Sequence, residues 1–81
     1  LNIAVAEKFQ KQGAGALLLN SIIKQCKVMS ISDIYLEVRI SNTNAIFFYE
    51  KFGFKKDAIR ENYYTGEKKE DALLMSKTLS K

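Results

Sequence analysis

The sequence has no histidine, no proline and a single cysteine among its 81 residues. Without histidine, Ser-His and Cys-His triads are excluded, and so are most zinc sites. The one cysteine, Cys26, permits no intrachain disulfide, which suits a reducing, cytoplasmic compartment. It stands beside Ile22 and Ile23 in a helical pattern and reads as a small packed hydrophobe rather than a nucleophile. No apolar run nears the ~20 residues of a membrane span. There is no repeat, no low-complexity tract and no dense basic stripe interleaved with aromatics, so neither a membrane nor a nucleic-acid partner is indicated. The net charge of +4 comes from scattered residues such as Lys8, Lys24, Lys51 and Lys56. They read as a solvated surface with a weak attraction for phosphates.

What is present is a high apolar content, 47%, on a chain near the size at which a core becomes marginal. Leu18, Ile22 and Cys26 recur at four-residue steps, with Leu19, Ile23 and Val28 close to the same face, which predicts a helix over 14–29. Alternation of Ile34, Leu36 and Val38 against Tyr35, Glu37 and Arg39 predicts a strand over 34–39. Residues 41–44 are capping types, and an apolar helix over 45–52 follows, stopped at Gly53 by a left-handed C-cap. A long strand over 54–64, a hairpin tip over 65–69 and a last strand over 71–79 with Leu73, Met75 and Leu79 inward complete the chain. With an apolar strand over 1–6, the order is β-α-β-α-β-β, an α/β arrangement of a mixed sheet with helices packed on it.

The most telling segment is Gln10-Lys11-Gln12-Gly13-Ala14-Gly15, set between that first strand and the first helix. Gly13 and Gly15 let the backbone turn sharply and approach a ligand closely. The first-turn N–H groups have no intrahelical partner, and the helix dipole adds partial positive charge, so a phosphate or pyrophosphate fits there. The segment is not a Walker-type loop, having no Gly-Lys-Ser/Thr. It is not a dinucleotide fingerprint either, because Leu18 stands where the third glycine would be. A plain strand-to-helix turn remains the alternative.

The pattern Gln-x-x-Gly-x-Gly resembles the pyrophosphate loop of the GNAT acetyltransferase superfamily. A second motif, Leu36-Glu37-Val38-Arg39 with Ser41-Asn42, Ala45-Ile46, Tyr49 and Gly53-Phe54, resembles the bacterial ribosomal-protein N-terminal acetyltransferases of the RimI type. A third, Arg60-x-Asn62-Tyr63-Tyr64 followed by Glu70-Asp71-Ala72-x-x-Met75, agrees with N-terminal acetyltransferases rather than GNAT enzymes at large. Three motifs in the right order cover essentially the whole chain. One departure is Glu7, where the family often has proline, which alters loop stiffness rather than its donors.

The resemblance implies acetyl-coenzyme A as cosubstrate, with no metal. It implies a diphosphate held by Lys11, Gln12, Gly13, Ala14, Gly15 and Ala16, a pantetheine arm paired along Ile3, Ala4 and Val5, and a further contact from Asn42. Asn42 also reads as a simple helix N-cap, and both roles are compatible. The acceptor implied is a protein α-amine, that of a ribosomal small-subunit protein. An ammonium has no lone pair, and an α-amine titrates at about 8, so a modest base suffices. Glu37 matches the family's base, and partial burial would lift its pKa toward the working pH. Read alone, Glu37 is a strand carboxylate paired with Arg39 or a lysine. Tyr49 matches the general acid that protonates the departing thiolate, since a phenol of pKa about 10 stays protonated at neutral pH. Read alone, it is a core aromatic. Tyr63 and Tyr64 match residues that hold the acceptor's first peptide units, and otherwise read as cross-strand packing.

A GNAT domain is nearly twice this length, so residues 1–81 correspond to the C-terminal, coenzyme-binding and catalytic half. The surface meant for the other half then needs cover, and a homo-oligomer is expected, formed by edge-to-edge pairing at the first strand or by exchange of elements between copies. Two other functions stay open: a GNAT enzyme acetylating a small amine or lysine, and a non-catalytic acyl-coenzyme A binding or assembly module.

Overall fold

Two helices end in the same way, and their ends set the frame. In the computed structural model, which describes residues 1–3, 13–66 and 69–79, helix α1 is Ala14–Val28 and helix α2 is Thr43–Lys51. After α1, Ser30 turns to φ 60, its N–H bonds the Lys27 carbonyl at 3.1 Å, and the Ile31 N–H reaches the Cys26 carbonyl at 2.9 Å. After α2, Gly53 turns to φ 90, its N–H bonds the Glu50 carbonyl at 3.0 Å, and the Phe54 N–H bonds the Tyr49 carbonyl at 3.1 Å. Both are Schellman caps, which satisfy carbonyls left over at a helix end and press an apolar residue back on the last turn. Phe54 does so through its ring, 5.6 Å from that of Tyr49 in an edge-on arrangement. The predicted stop at Gly53 is therefore the observed one. Helix α2 starts two residues earlier than predicted, because Asn42 caps it by accepting the Ala45 N–H at 3.2 Å.

The strands are β1 (Asn2–Ile3), β2 (Asp33–Arg39), β3 (Lys55–Tyr64) and β4 (Glu70–Thr78), in the sheet order β1-β2-β4-β3. β1 runs parallel to β2, with Ile3 opposite Leu36, while β4 is antiparallel to both β2 and β3. The last strand thus inserts between β2 and the strand that precedes it. Of the predicted first strand, residues 4–6 lie outside the described residues. The alternation expected for β2 holds at every position: Ile34, Leu36 and Val38 are buried, and Tyr35, Glu37 and Arg39 are exposed. Leu73 and Met75, opposite Val38 and Leu36, are buried with them, and Leu79 packs against the cluster.

Both helices contribute to that one core. Leu19, Ile23 and Cys26 of α1 and Ala45, Ile46 and Tyr49 of α2 cluster with Ile34, Leu36, Val38, Phe54, Leu73 and Met75. The buried stripe of α1 is Gly15-Leu19-Ile23-Cys26, one residue round from the expected one. Leu18 is 43% and Val28 78% exposed. Three consecutive leucines make the two faces hard to tell apart from spacing, and the buried face is the one that carries Leu19. No helix among the described residues is long and apolar enough to cross a membrane.

Candidate active site

Among the described residues, no side chain closes off the N-terminal end of α1. Gly13 occupies the N-cap position in the left-handed region, φ 78, and no side chain caps the helix or places an acid in its first turn. A Cβ built on Gly13 meets nothing within 4 Å among the described residues. Its φ alone favours glycine there. Ala14, Gly15 and Ala16 supply the first-turn N–H groups, so the residues present suit an anion. Ile3 lies in β1, partly buried against the core, at the end of the sheet order. Ala4, Val5, Lys11 and Gln12 lie outside the described residues. Asn42 spends its side-chain oxygen on the Ala45 N–H, which leaves its amide hydrogens as donors.

On the opposite side of the sheet from the helices, the register brings chemistry together. Glu37 stands opposite Leu74, Arg39 and Arg60 both stand opposite Ala72, and Tyr64 stands opposite Glu70. The carboxylate of Glu37 is not paired with Arg39. That guanidinium bonds Glu70 Oε1 at 3.2 Å and lies 4.1 Å over the ring of Tyr64. Glu70 also accepts the Ser41 N–H at 2.9 Å. Bonds from Ser41, side chain and backbone, with the Arg39 charge behind them, hold the Glu70 carboxyl below its ordinary pKa. Glu37 acts instead on Tyr63: a hydrogen-bonding interaction with its carboxylate, followed by its charge, raises the Tyr63 phenol above its ordinary pKa. The guanidinium of Arg60 lies 5.0 Å from the Tyr63 ring.

Glu37 is exposed rather than partly buried as expected, because it alternates onto the face that the helices do not cover. A cavity of about 310 Å³ opens beside it, lined by Asn2, Tyr35, Asp57, Arg60 and Leu74 among others. Tyr49 is 4% exposed and lies within the helix-side cluster, its ring against Phe48 and Phe54. The fold thus joins Glu37, Tyr63 and Tyr64 in one place and sets Tyr49 on the other side of β2. Sequence reasoning passed over Asp57 and Arg60 at the cavity. Arg60 was visible only as part of a motif, and Asp57, next to a break in the β3 register, left no periodic signal.

The profile of the Acetyltransferase (GNAT) family matches residues 1–54. The [Ribosomal protein bS18]-alanine N-acetyltransferase of Escherichia coli (strain K12) is 42% identical over 80 residues, 98% of this chain and 54% of that protein. The crystal structure of the ribosomal-protein-S18-alanine N-acetyltransferase from Escherichia coli superposes with a TM-score of 0.84 at 41% identity, covering 100% of this chain and 53% of that one. A GNAT family acetyltransferase from Elizabethkingia anophelis, solved with acetyl-CoA bound, gives a TM-score of 0.78 at 31% identity over 96% of this chain and 60% of that one. The chain belongs to the GNAT acetyltransferase family. It spans about half the length of the curated relatives it matches, and its β-α-β-α-β-β order is that of the C-terminal half of the fold.

Proposed function

We propose that residues 1–81 are the coenzyme-binding and catalytic half of a cytoplasmic N-terminal protein acetyltransferase, whose acceptor is the α-amine of a ribosomal protein. The observation that carries this reading is the open-face group of Glu37, Tyr63 and Tyr64, in which the two tyrosine rings lie 5.2 Å apart and Arg39 lies 4.1 Å over that of Tyr64. A carboxylate flanked by tyrosines suits an amine at the end of a peptide: the acid takes the proton and the rings hold the chain behind it. The names and similarity of the relatives support it further.

Acetyl-coenzyme A, when bound, supplies an acetyl thioester. In this reading the first-turn N–H groups of Gly13 to Ala16, with Lys11 and Gln12, hold its diphosphate, and Ile3, Ala4, Val5 and Asn42 line its pantetheine arm. Glu37 accepts a proton from the acceptor's α-ammonium, directly or through a water, which frees the nitrogen lone pair for attack on the acetyl carbon. Tyr49 returns a proton to the departing sulfur. Base and acid stand on opposite faces of β2, so the reacting atoms must meet at the edge of that strand rather than over either face.

Glu37→Gln in the full-length enzyme is the test. Turnover of an N-terminal peptide is expected to fall by about 10²-fold, the usual worth of a positioned base, and to fall most at low pH where the amine is protonated. A loss under about twofold contradicts the assignment. The same reading leaves the outer edge of β1 and the exposed apolar residues Phe47 and Ile59 to be covered, which favours pairing of copies of the 81-residue chain. Light scattering at micromolar concentration is expected to give at least a dimer mass, and a compact, cooperatively unfolding monomer refutes it.

A further inference from the structure

Neighbouring residues of a regular strand point to opposite faces of the sheet. Tyr63 and Tyr64 do not. Their ring centroids are 5.2 Å apart with planes at 86°, and each also meets an open-face arginine, Arg60 for Tyr63 and Arg39 for Tyr64. The register explains it. From the Arg60–Ala72 pair to the Tyr64–Glu70 pair, β3 advances by four residues while β4 advances by two. The surplus residues of β3 bulge out of the ladder, and Asn62 takes φ 50. Asparagine is among the few residues with a side chain that visit the left-handed region readily. A bulge also deprives a backbone N–H of its ladder partner. Here the Asn62 N–H finds one in the carboxylate of Asp71, at 2.9 Å.

We propose that Asn62 and Asp71 form a clamp that positions the acceptor site: by fixing the bulge, they bring Tyr63 onto the face that carries Glu37 instead of leaving it behind the sheet. Asp71 is a positioning residue and acts through Tyr63. The inference rests on the reading of Glu37 and Tyr63 as the acceptor site. It also assigns separate tasks to the two adjacent acids of β4, since Glu70 holds Arg39 and the Ser41 backbone while Asp71 holds the bulge.

The experiment has two arms in the full-length protein. Tyrosines labelled with ¹³C at Cζ are titrated by NMR, with Tyr63→Phe to assign the resonance, and kcat and KM are measured with an N-terminal peptide. Asp71→Ala is expected to let Tyr63 ionise at lower pH, nearer an ordinary phenol, and to raise KM by about tenfold, the equivalent of one well-placed hydrogen bond. Asn62→Val, which resists a positive φ, should do the same, and it carries the test where Asp71→Ala fails to fold. Asp71→Asn keeps an oxygen acceptor and Asn62→Gly keeps the left-handed backbone, so both should titrate and bind as wild type. Unmoved Tyr63 ionisation in a folded Asp71→Ala or Asn62→Val protein overturns the clamp. A shifted ionisation with unchanged KM overturns its role toward the acceptor. Wild-type protein inactive on any N-terminal peptide counts against the functional reading alone, and the NMR arm still decides whether the clamp exists.

Discussion

Replacing Gly13 by valine separates the conformational role of this residue from its role in binding. An L-residue in the left-handed region costs about 1–2 kcal/mol, and a β-branched one sits at the upper end. A Cβ at Gly13 meets nothing within 4 Å among the described residues, so no clash with them adds to that cost. The fold should survive, less stable by a similar amount. Coenzyme A binding should suffer far more. The valine methyls would occupy the open space over the first turn of α1, where the diphosphate is proposed to lie, and hydrogen bonds to a charged group are worth about 1.5–3 kcal/mol each. Loss of two such bonds comes to about 3 kcal/mol at least, or roughly 100-fold in Kd at about 1.4 kcal/mol per tenfold. Calorimetric titration of the full-length protein with coenzyme A reads the loss directly. Pantetheine, which lacks the diphosphate, is the control and should bind both proteins alike. A folded Gly13→Val protein with unchanged coenzyme A affinity refutes the diphosphate site.

Tyr49→Phe keeps the ring contacts with Phe48 and Phe54 and removes only the hydroxyl, so turnover is expected to fall by about 10²-fold with peptide KM little changed, as steady-state kinetics will show. Glu70 has a depressed pKa in the fold, so the stability it contributes is present above its unfolded value, near the ordinary carboxylate range, and disappears as the pH falls through the lower folded value. Thermal unfolding from pH 7 to pH 3 should therefore show a weaker acid dependence in Glu70→Gln than in wild type, and identical slopes contradict the contact with Ser41 and Arg39.

The parts of the fold that rest on strict periodicity and local caps were legible. Strand β2 alternates as read, and Gly53 ends α2 because only a residue at ease with positive φ closes the turn that sets Phe54 on Tyr49. The buried stripe of α1 was misplaced by one residue because Leu17, Leu18 and Leu19 are equally apolar, and only the sheet decides between them. Strand β3 carries two register shifts, and a count by twos cannot foresee residues that leave the ladder. For the same reason the approach of Tyr63 to Glu37, separated by the end of β2, helix α2 and most of β3, is not legible in the sequence. Nor is the pairing of Arg39 with Glu70, 31 positions away. The Tyr-x-x-x-Gly-Phe pattern, read for its chemistry, proves also to be a Schellman cap. Its geometry orients the Tyr49 ring whatever the ring does in catalysis.

The most direct test of the central claim is where the acetyl group goes. The full-length enzyme is incubated with acetyl-coenzyme A and a peptide that carries both a free N-terminus and an internal lysine, and the product is fragmented in a mass spectrometer. A single acetyl group on the α-nitrogen, formed by wild type and lost in Glu37→Gln, is the expected result. Acetyl on the lysine Nε, or no acetylated peptide at all, contradicts the account.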